Sequence, residues 1–282
     1  MRGKICLVTG ATHGIGLATA TALAHQGATV LVHGRDLERA RAVAAGISAD
    51  TGNGEVRAVQ ADFADLSQVR RLAGELAAQL PRLEVLINNA ALIAPAGALS
   101  VDGYELTFAV NHLAPFLLTK LLLPKLRESA PARVIVVVSE AHRRATLDFD
   151  DLMNARVSGF WAAYGRSKLA NLLFMRELAS RLAGSGVTVN ALHPGVVNTQ
   201  LFRHGPTLLR GLLAAGGWLV LKSPRQGAGG SVYLASAPEL ERTSGGYFHG
   251  CRRSTPSAAA RSDENAARLW QESARLTGLA LA

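Results

Sequence analysis

Two residues four positions apart, Tyr164 and Lys168 in the segment Tyr-Gly-Arg-Ser-Lys, carry side chains that could move a proton. On a helix both rise on one face and can meet. A free phenol, with a pKa of about 10, donates poorly at neutral pH, but a neighbouring ammonium stabilises the phenolate and lowers that value. Such a tyrosine is a usable general acid or base. The same pair arises by chance on solvated helices, so its weight depends on what else the chain supplies.

A second feature is the turn that holds Gly10, Thr12, His13, Gly14, Ile15 and Gly16, placed between an apolar run, residues 4–9, and a helical pattern through Ala18, Ala22 and Leu23. Glycines at a strand-to-helix turn let backbone approach a pyrophosphate, and the free N–H groups and dipole of the helix start attract its charge. The spacing is Gly-x-x-x-Gly-x-Gly, and its place between strand and helix favours nucleotide binding over a simple tight connection.

The elements that must position these groups follow a regular period. Strands are expected over residues 28–33, 55–60, 83–87, 133–139 and 187–192, with a last one at Tyr247-Phe248. Helices are expected over residues 37–48, 66–80, 102–127, 225–235 and 264–276, and from Tyr164 to about Leu182. Pro115 should bend the long helix that carries Asn111. Alternating strands and helices call for an α/β fold: a Rossmann-type, doubly wound parallel β-sheet of about seven strands with helices on both faces. No linker or long repeat divides residues 1–282, so one domain is expected. Ser139 falls at the carboxyl end of a strand, where open α/β sheets bind ligands.

Composition narrows the function. The chain is 49% hydrophobic and carries a net charge of +9, with a pI near 10.2. Its arginines, however, come as scattered pairs (Arg70-Arg71, Arg143-Arg144, Arg252-Arg253) without interleaved aromatics, which argues against nucleic-acid binding. Two cysteines, Cys6 and Cys251, make neither a disulfide framework nor a thiolate cluster, and no His, Asp or Glu cluster has metal-ligand spacing. The first residues enter a strand pattern directly, so a cytoplasmic protein without a signal peptide is expected. The apolar stretch 208–221 is interrupted by Arg210 and is shorter than the roughly 20 residues that cross a bilayer.

With these residues in place the chain resembles the short-chain dehydrogenase/reductase family over nearly its whole length. The resemblance rests on Thr9-Gly10-Ala-Thr-His-Gly14-Ile-Gly16, Asn88-Asn89-Ala90, Asn111, Ser139, Tyr164-x-x-x-Lys168 and Pro194-Gly195, in that family's order. The segments 110–119, 167–171, 192–195 and 267–270 are most similar to its retinol-dehydrogenase-like branch. Two positions depart, Ala91 standing for a glycine and Glu140 for a second serine, and a chain without the N-terminal membrane anchor of many vertebrate relatives is expected.

The resemblance implies an oxidoreductase that moves hydride between a nicotinamide and a carbonyl or alcohol. Tyr164 would exchange the proton, Ser139 would hydrogen-bond the carbonyl oxygen, Lys168 would lower the tyrosine pKa and hold the ribose, and Asn111 would anchor a relay water. The glycine turn would take the pyrophosphate, Asp62 and Phe63 the adenine, and Asn89, Ala90 and Ala91 the adenosine ribose and nicotinamide side. Pro194, Gly195, Val197 and Thr199 would line the nicotinamide. Where an NAD enzyme needs an acid on the ribose 2′-hydroxyl, this chain has Gly34 followed by Arg35, which points to NADP(H). His13 would be a second basic residue there. The same tetrad could serve epimerisation or dehydration, and the same fold could serve a non-catalytic dinucleotide sensor. The apolar segment 202–221 is expected to be a lid over a lipophilic small-molecule substrate, a homo-oligomer (dimer) or core contact, or a weak membrane-surface contact.

Overall fold

The computed structural model describes residues 1–153, 159–197 and 222–280. Thr199 and the apolar segment 202–221 lie outside the described residues.

The apolar runs form one mostly parallel sheet. Its strands are β1 (Ile5–Val8), β2 (Thr29–Gly34), β3 (Val56–Gln60), β4 (Val85–Asn88), β5 (Ala132–Val137), β6 (Val187–His193), β7 (Tyr247–His249) and β8 (Arg252–Ser254). The order is β3-β2-β1-β4-β5-β6-β7-β8. All pairs are parallel except β7 with β8. The sheet therefore has eight strands where about seven were expected. The extra one, Arg-Arg-Ser, pairs antiparallel with Tyr247–His249 and has no apolar alternation to betray it.

Helices cover both faces. On one lie α1 (Gly14–His25), α2 (Leu37–Thr51) and a later helix, Pro224–Ser236, packed on Cys6, Val8, Val30, Val32, Ile135 and Val137. On the other lie α3 (Leu66–Gln79), α4 (Leu106–Phe108), α5 (Ala114–Glu128) and α6 (Phe160–Arg181), packed on Leu7, Leu31, Leu86, Val134, Val136 and Val189. Pro224–Ser236 becomes α7, and the terminal helix Asp263–Leu276, on the second face, is α8. Successive residues of the central strands thus feed opposite cores, and β1, β4 and β5 read as largely unbroken apolar runs for that reason.

Strand order reverses between β1 and β4, so the carboxyl ends of these two strands flank a crevice. Gly10 follows β1 and Asn89 follows β4.

The long apolar helix departs from expectation in its first half. Residues 102–105 form a turn, and Glu105 caps α4 by accepting from Thr107 and Phe108 N–H groups. One π turn, Ala109–Leu113, then separates α4 from α5. The helix Leu106–Glu128 is long and apolar enough to cross a bilayer, yet 83% of its most apolar window is buried inside the protein. It is used as a core helix.

Candidate active site

The glycine turn is built by close packing. Gly16 lies against the Gly10 carbonyl, and a Cβ there would also come within 2.5 Å of the Asn89 amide nitrogen. Gly16→Ala is therefore expected to unfold the turn, seen as a fall in melting temperature together with loss of nucleotide binding. Thr9 ties the turn to the end of β4: its hydroxyl donates to the Ile87 carbonyl and accepts from the N–H groups of Asn89 (2.9 Å) and Ala90 (3.0 Å). Asn89 closes the link by donating to the Thr9 carbonyl (2.8 Å).

Whether a dinucleotide fits can be read from α1. Its N-cap, His13, makes no side-chain cap, and no acid occupies the first turn. By contrast Asp36 caps α2 and Asp65 caps α3. The first N–H groups of α1, around Gly14, Ile15 and Gly16, are thus without a capping side chain and offer their positive end to an anion. The residues fit the pyrophosphate of a dinucleotide.

The expected adenosine end gathers at the ends of β2 and β3. Thr12 bonds His13 Nδ1 through its hydroxyl (3.3 Å), and its methyl faces Gly34. Arg35 is exposed, and among the described residues its guanidinium has no carboxylate partner. Asp62 accepts from the Ala64 N–H, and Phe63 buries its ring in the core. At the other end Pro194 is buried, Gly195 has φ +93°, and Val197 packs near Gly227 of α7, which also approaches Ile15. Ala90 and Ala91 are half-buried beside the turn.

Tyr164 and Lys168 share one face of α6, 6% and 2% exposed. Tyr164 is hydrogen-bonded to the Ser139 side chain, and the exposed Trp161 ring meets its ring edge to face at 6.2 Å. Lys168 Nζ lies 5.5 Å from the tyrosine ring centroid and donates to the Val137 carbonyl (3.1 Å). The expected lowering of the tyrosine pKa by the lysine is corrected here. Burial pushes the phenol up to about 12, with only the Ser139 bond opposing it, and pulls the ammonium down to about 8. The ammonium is aimed at a backbone carbonyl, so desolvation dominates both groups.

Asn111 is held by a network of its own. Its amide accepts from Leu92 N–H (2.8 Å) and donates to the Leu92 carbonyl (2.9 Å) and to Ser167 Oγ (3.0 Å). Ser167 in turn donates to the Tyr164 carbonyl (2.8 Å). Both amide hydrogens are committed, and the side chain braces the π turn against the helix of Tyr164. Pro115 has no N–H to offer the Asn111 carbonyl four residues back. Asn171 supplies the donor instead, at 2.8 Å. Behind it His112 bridges Asn171 Oδ1 (3.1 Å) and Ser273 Oγ of α8 (2.8 Å).

The structure thus brings Ser139, Tyr164 and Lys168 to one buried corner, with Asn111 bracing it. Ser167, Asn171 and His112 were not singled out as site residues. Their signal was in the sequence all the same: Asn171 lies four residues after Ser167, and His112 follows Asn111.

Residues 4–206 match the family described as short chain dehydrogenase. Retinol dehydrogenase 13 of Homo sapiens is 46% identical over 282 residues, 98% of this chain and 85% of that protein. The chain is a short-chain dehydrogenase. This dehydrogenase also shares its fold, at a TM-score of 0.81 and 34% identity, with an uncharacterized protein from Mycobacterium Paratuberculosis, covering 100% of this chain and 96% of that one. A second solved relative is the Pseudomonas aeruginosa RhlG/NADP active-site complex, with a TM-score of 0.70 and 30% identity over 92% and 97% of the two chains. The dehydrogenase is accordingly an oxidoreductase related to retinol dehydrogenases.

Proposed function

We propose that this dehydrogenase is an NADP(H)-dependent carbonyl reductase for a lipophilic substrate. The observation that carries the cofactor choice is the contact between Gly34 and Thr12. A Cβ at position 34 would come within 2.6 Å of the Thr12 methyl, so the carboxylate that an NAD enzyme puts there would have to push Thr12 aside. Beside it stands Arg35, whose planar fork suits a 2′-phosphate. RhlG, a relative at 30% identity, was solved with NADP, which supports the same reading.

The bound nicotinamide would supply the hydride, and the chain's own residues handle the oxygen and its proton. Ser139 donates a hydrogen bond to the carbonyl oxygen, and Tyr164 gives that oxygen its proton. A phenol held at about 12 is protonated at neutral pH and so carries the proton that reduction needs. Lys168 holds positive charge behind the tyrosine, and Asn111 keeps its helix in place. The relationship to retinol dehydrogenases supports a lipophilic aldehyde or ketone.

Following NADPH absorbance against carbonyl compounds graded in size and lipophilicity, retinaldehyde among them, tests the substrate class. Equal efficiency for short polar and long apolar carbonyls would sink the lipophilic reading. For the cofactor, Arg35→Ala is expected to cut kcat/KM for NADPH by about ten- to a hundredfold, the worth of one charge-assisted hydrogen bond, and to leave NADH unchanged. Gly34→Asp alone would collide with Thr12. Combined with Thr12→Ser, which removes the obstructing methyl, it is expected to turn preference towards NADH. A wild type that prefers NADH rules the proposal out.

A further inference from the structure

We propose that His33 is a positioning residue of the cofactor site, an imidazole that locks the glycine turn to β2 and to the adenine corner and so fixes where Arg35 meets the 2′-phosphate. The inference rests on the NADP(H) reading above and adds a residue to it.

His33 is the penultimate residue of β2 and is 3% exposed. Its Nδ1 accepts from the backbone N–H of Gly10, at 3.2 Å, and its Nε2 lies 3.1 Å from the Ala61 carbonyl. Only one protonation state satisfies both partners. Nδ1 must be bare to accept, so Nε2 carries the hydrogen and donates to Ala61. The opposite tautomer would set N–H against N–H on one side and lone pair against lone pair on the other. The ring also lies 4.4 Å from that of Phe63.

A buried histidine with both nitrogens satisfied could be simple core filling. Here each nitrogen lands on a loop that the cofactor needs: Gly10 opens the pyrophosphate turn, and Ala61 immediately precedes Asp62 and Phe63. The backbone repeats the lock, because the His33 carbonyl accepts from the Ala11 N–H (2.9 Å) and the Gly34 carbonyl from the Ala61 N–H (3.2 Å). One residue on, the Arg35 carbonyl accepts from Gln60 (3.0 Å). The backbone from which the Arg35 side chain springs is therefore set by the same cross-links. A leucine at position 33 would fill similar space but take the imidazole partners from the half-buried Gly10 N–H and the buried Ala61 carbonyl.

The test compares His33→Leu, His33→Asn and His33→Gln by titrating NADPH and NADH against protein fluorescence, with circular dichroism to confirm folding. His33→Leu is expected to raise the NADPH Kd by about ten- to thirtyfold, as two lost hydrogen bonds imply, while kcat at saturating NADPH stays within about twofold. The loss should be larger for NADPH than for NADH, which a merely structural role would not produce. Asparagine Oδ1 takes the place of Nδ1 and should recover binding to within about threefold, and glutamine, which keeps only the Ala61 side, should recover less. An unchanged Kd in a folded His33→Leu, or equal losses for the two cofactors, overturns the inference. Should the leucine variant not fold, glutamine binding NADPH as tightly as asparagine overturns it. A wild type that binds neither cofactor sinks the NADP(H) reading and this inference together, whereas tight NADPH binding indifferent to residue 33 sinks this inference alone.

Discussion

Tyr164→Phe is expected to lower carbonyl-reducing turnover by about 10²–10⁴-fold, the range of general acid catalysis, with little change in NADPH affinity. The substitution deletes one oxygen and keeps the ring. The contacts with Trp161 at 6.2 Å and with the Lys168 ammonium at 5.5 Å belong to that ring and survive. What disappears is the hydroxyl bonded to Ser139, and with it the proton that the carbonyl oxygen must receive. Single-turnover reduction separates the step from release, and a parallel Kd for NADPH separates it from binding. Turnover near wild type would remove Tyr164 from the mechanism. Because burial holds the phenol near 12, the phenol itself stays protonated from pH 6 to about 9, so a fall in wild-type reduction near pH 8 would report loss of the Lys168 ammonium and not of the tyrosine proton.

The second large effect concerns acid. His33 and His112 are both held down to about 4 from an ordinary 6.5, in each case chiefly by burial, with the hydrogen bond to Ala61 and then Asp62 opposing for His33 and Asn171 opposing for His112. Between those values the unfolded chain takes up a proton at each of these rings that the folded chain refuses, and His193, lowered to about 4 chiefly by burial, adds a third. With more protons on the unfolded state, stability rises with pH, so it is complete above 6.5 and is lost as pH falls towards 4. Each refused proton costs about 1.4 kcal/mol per pH unit, so the pair costs about 3 kcal/mol per unit. Over the window from 6.5 to about 4 the pair contributes at most about 7 kcal/mol, enough to unfold a protein near the lower end of the usual range of about 5–15 kcal/mol. Urea midpoints measured from about pH 7 to 5 are expected to fall steadily. A flat profile would show that one or both rings accept a proton without unfolding.

The sheet and helices were legible in the sequence because the central strands are buried on both faces and helices such as α3 and α8 present an apolar stripe. Val134-Ile135-Val136-Val137 and the glycine turn are local patterns, and local patterns survive without coordinates. What was not legible depends on partners far away in the chain. Asn111 stood out, but its task depends on Leu92 and Ser167, 19 and 56 residues distant. The π turn around it has no composition of its own, since Ala-Val-Asn-His-Leu would serve equally well in an α-helix. The pKa of Tyr164 was misjudged for a related reason: spacing reveals that a lysine is near, but not that its ammonium is turned to Val137 or that water is shut out. His33 passed as one apolar-strand residue among others because its two bonds reach 23 and 28 residues along the chain.

The antiparallel strand β8 bears on behaviour at high concentration. A parallel sheet that stopped at β7 would present Tyr247 and Phe248 on a bare ladder to any passing chain. β8 instead ends the sheet with three residues, of which Arg252 and Arg253 are exposed. A foreign strand docking there would find room for very few hydrogen bonds and would have to strip water from two guanidinium groups of like charge. This margin of the sheet therefore repels self-templated, fibre-like stacking, a safeguard against aggregation that a chain so rich in buried valine and leucine needs.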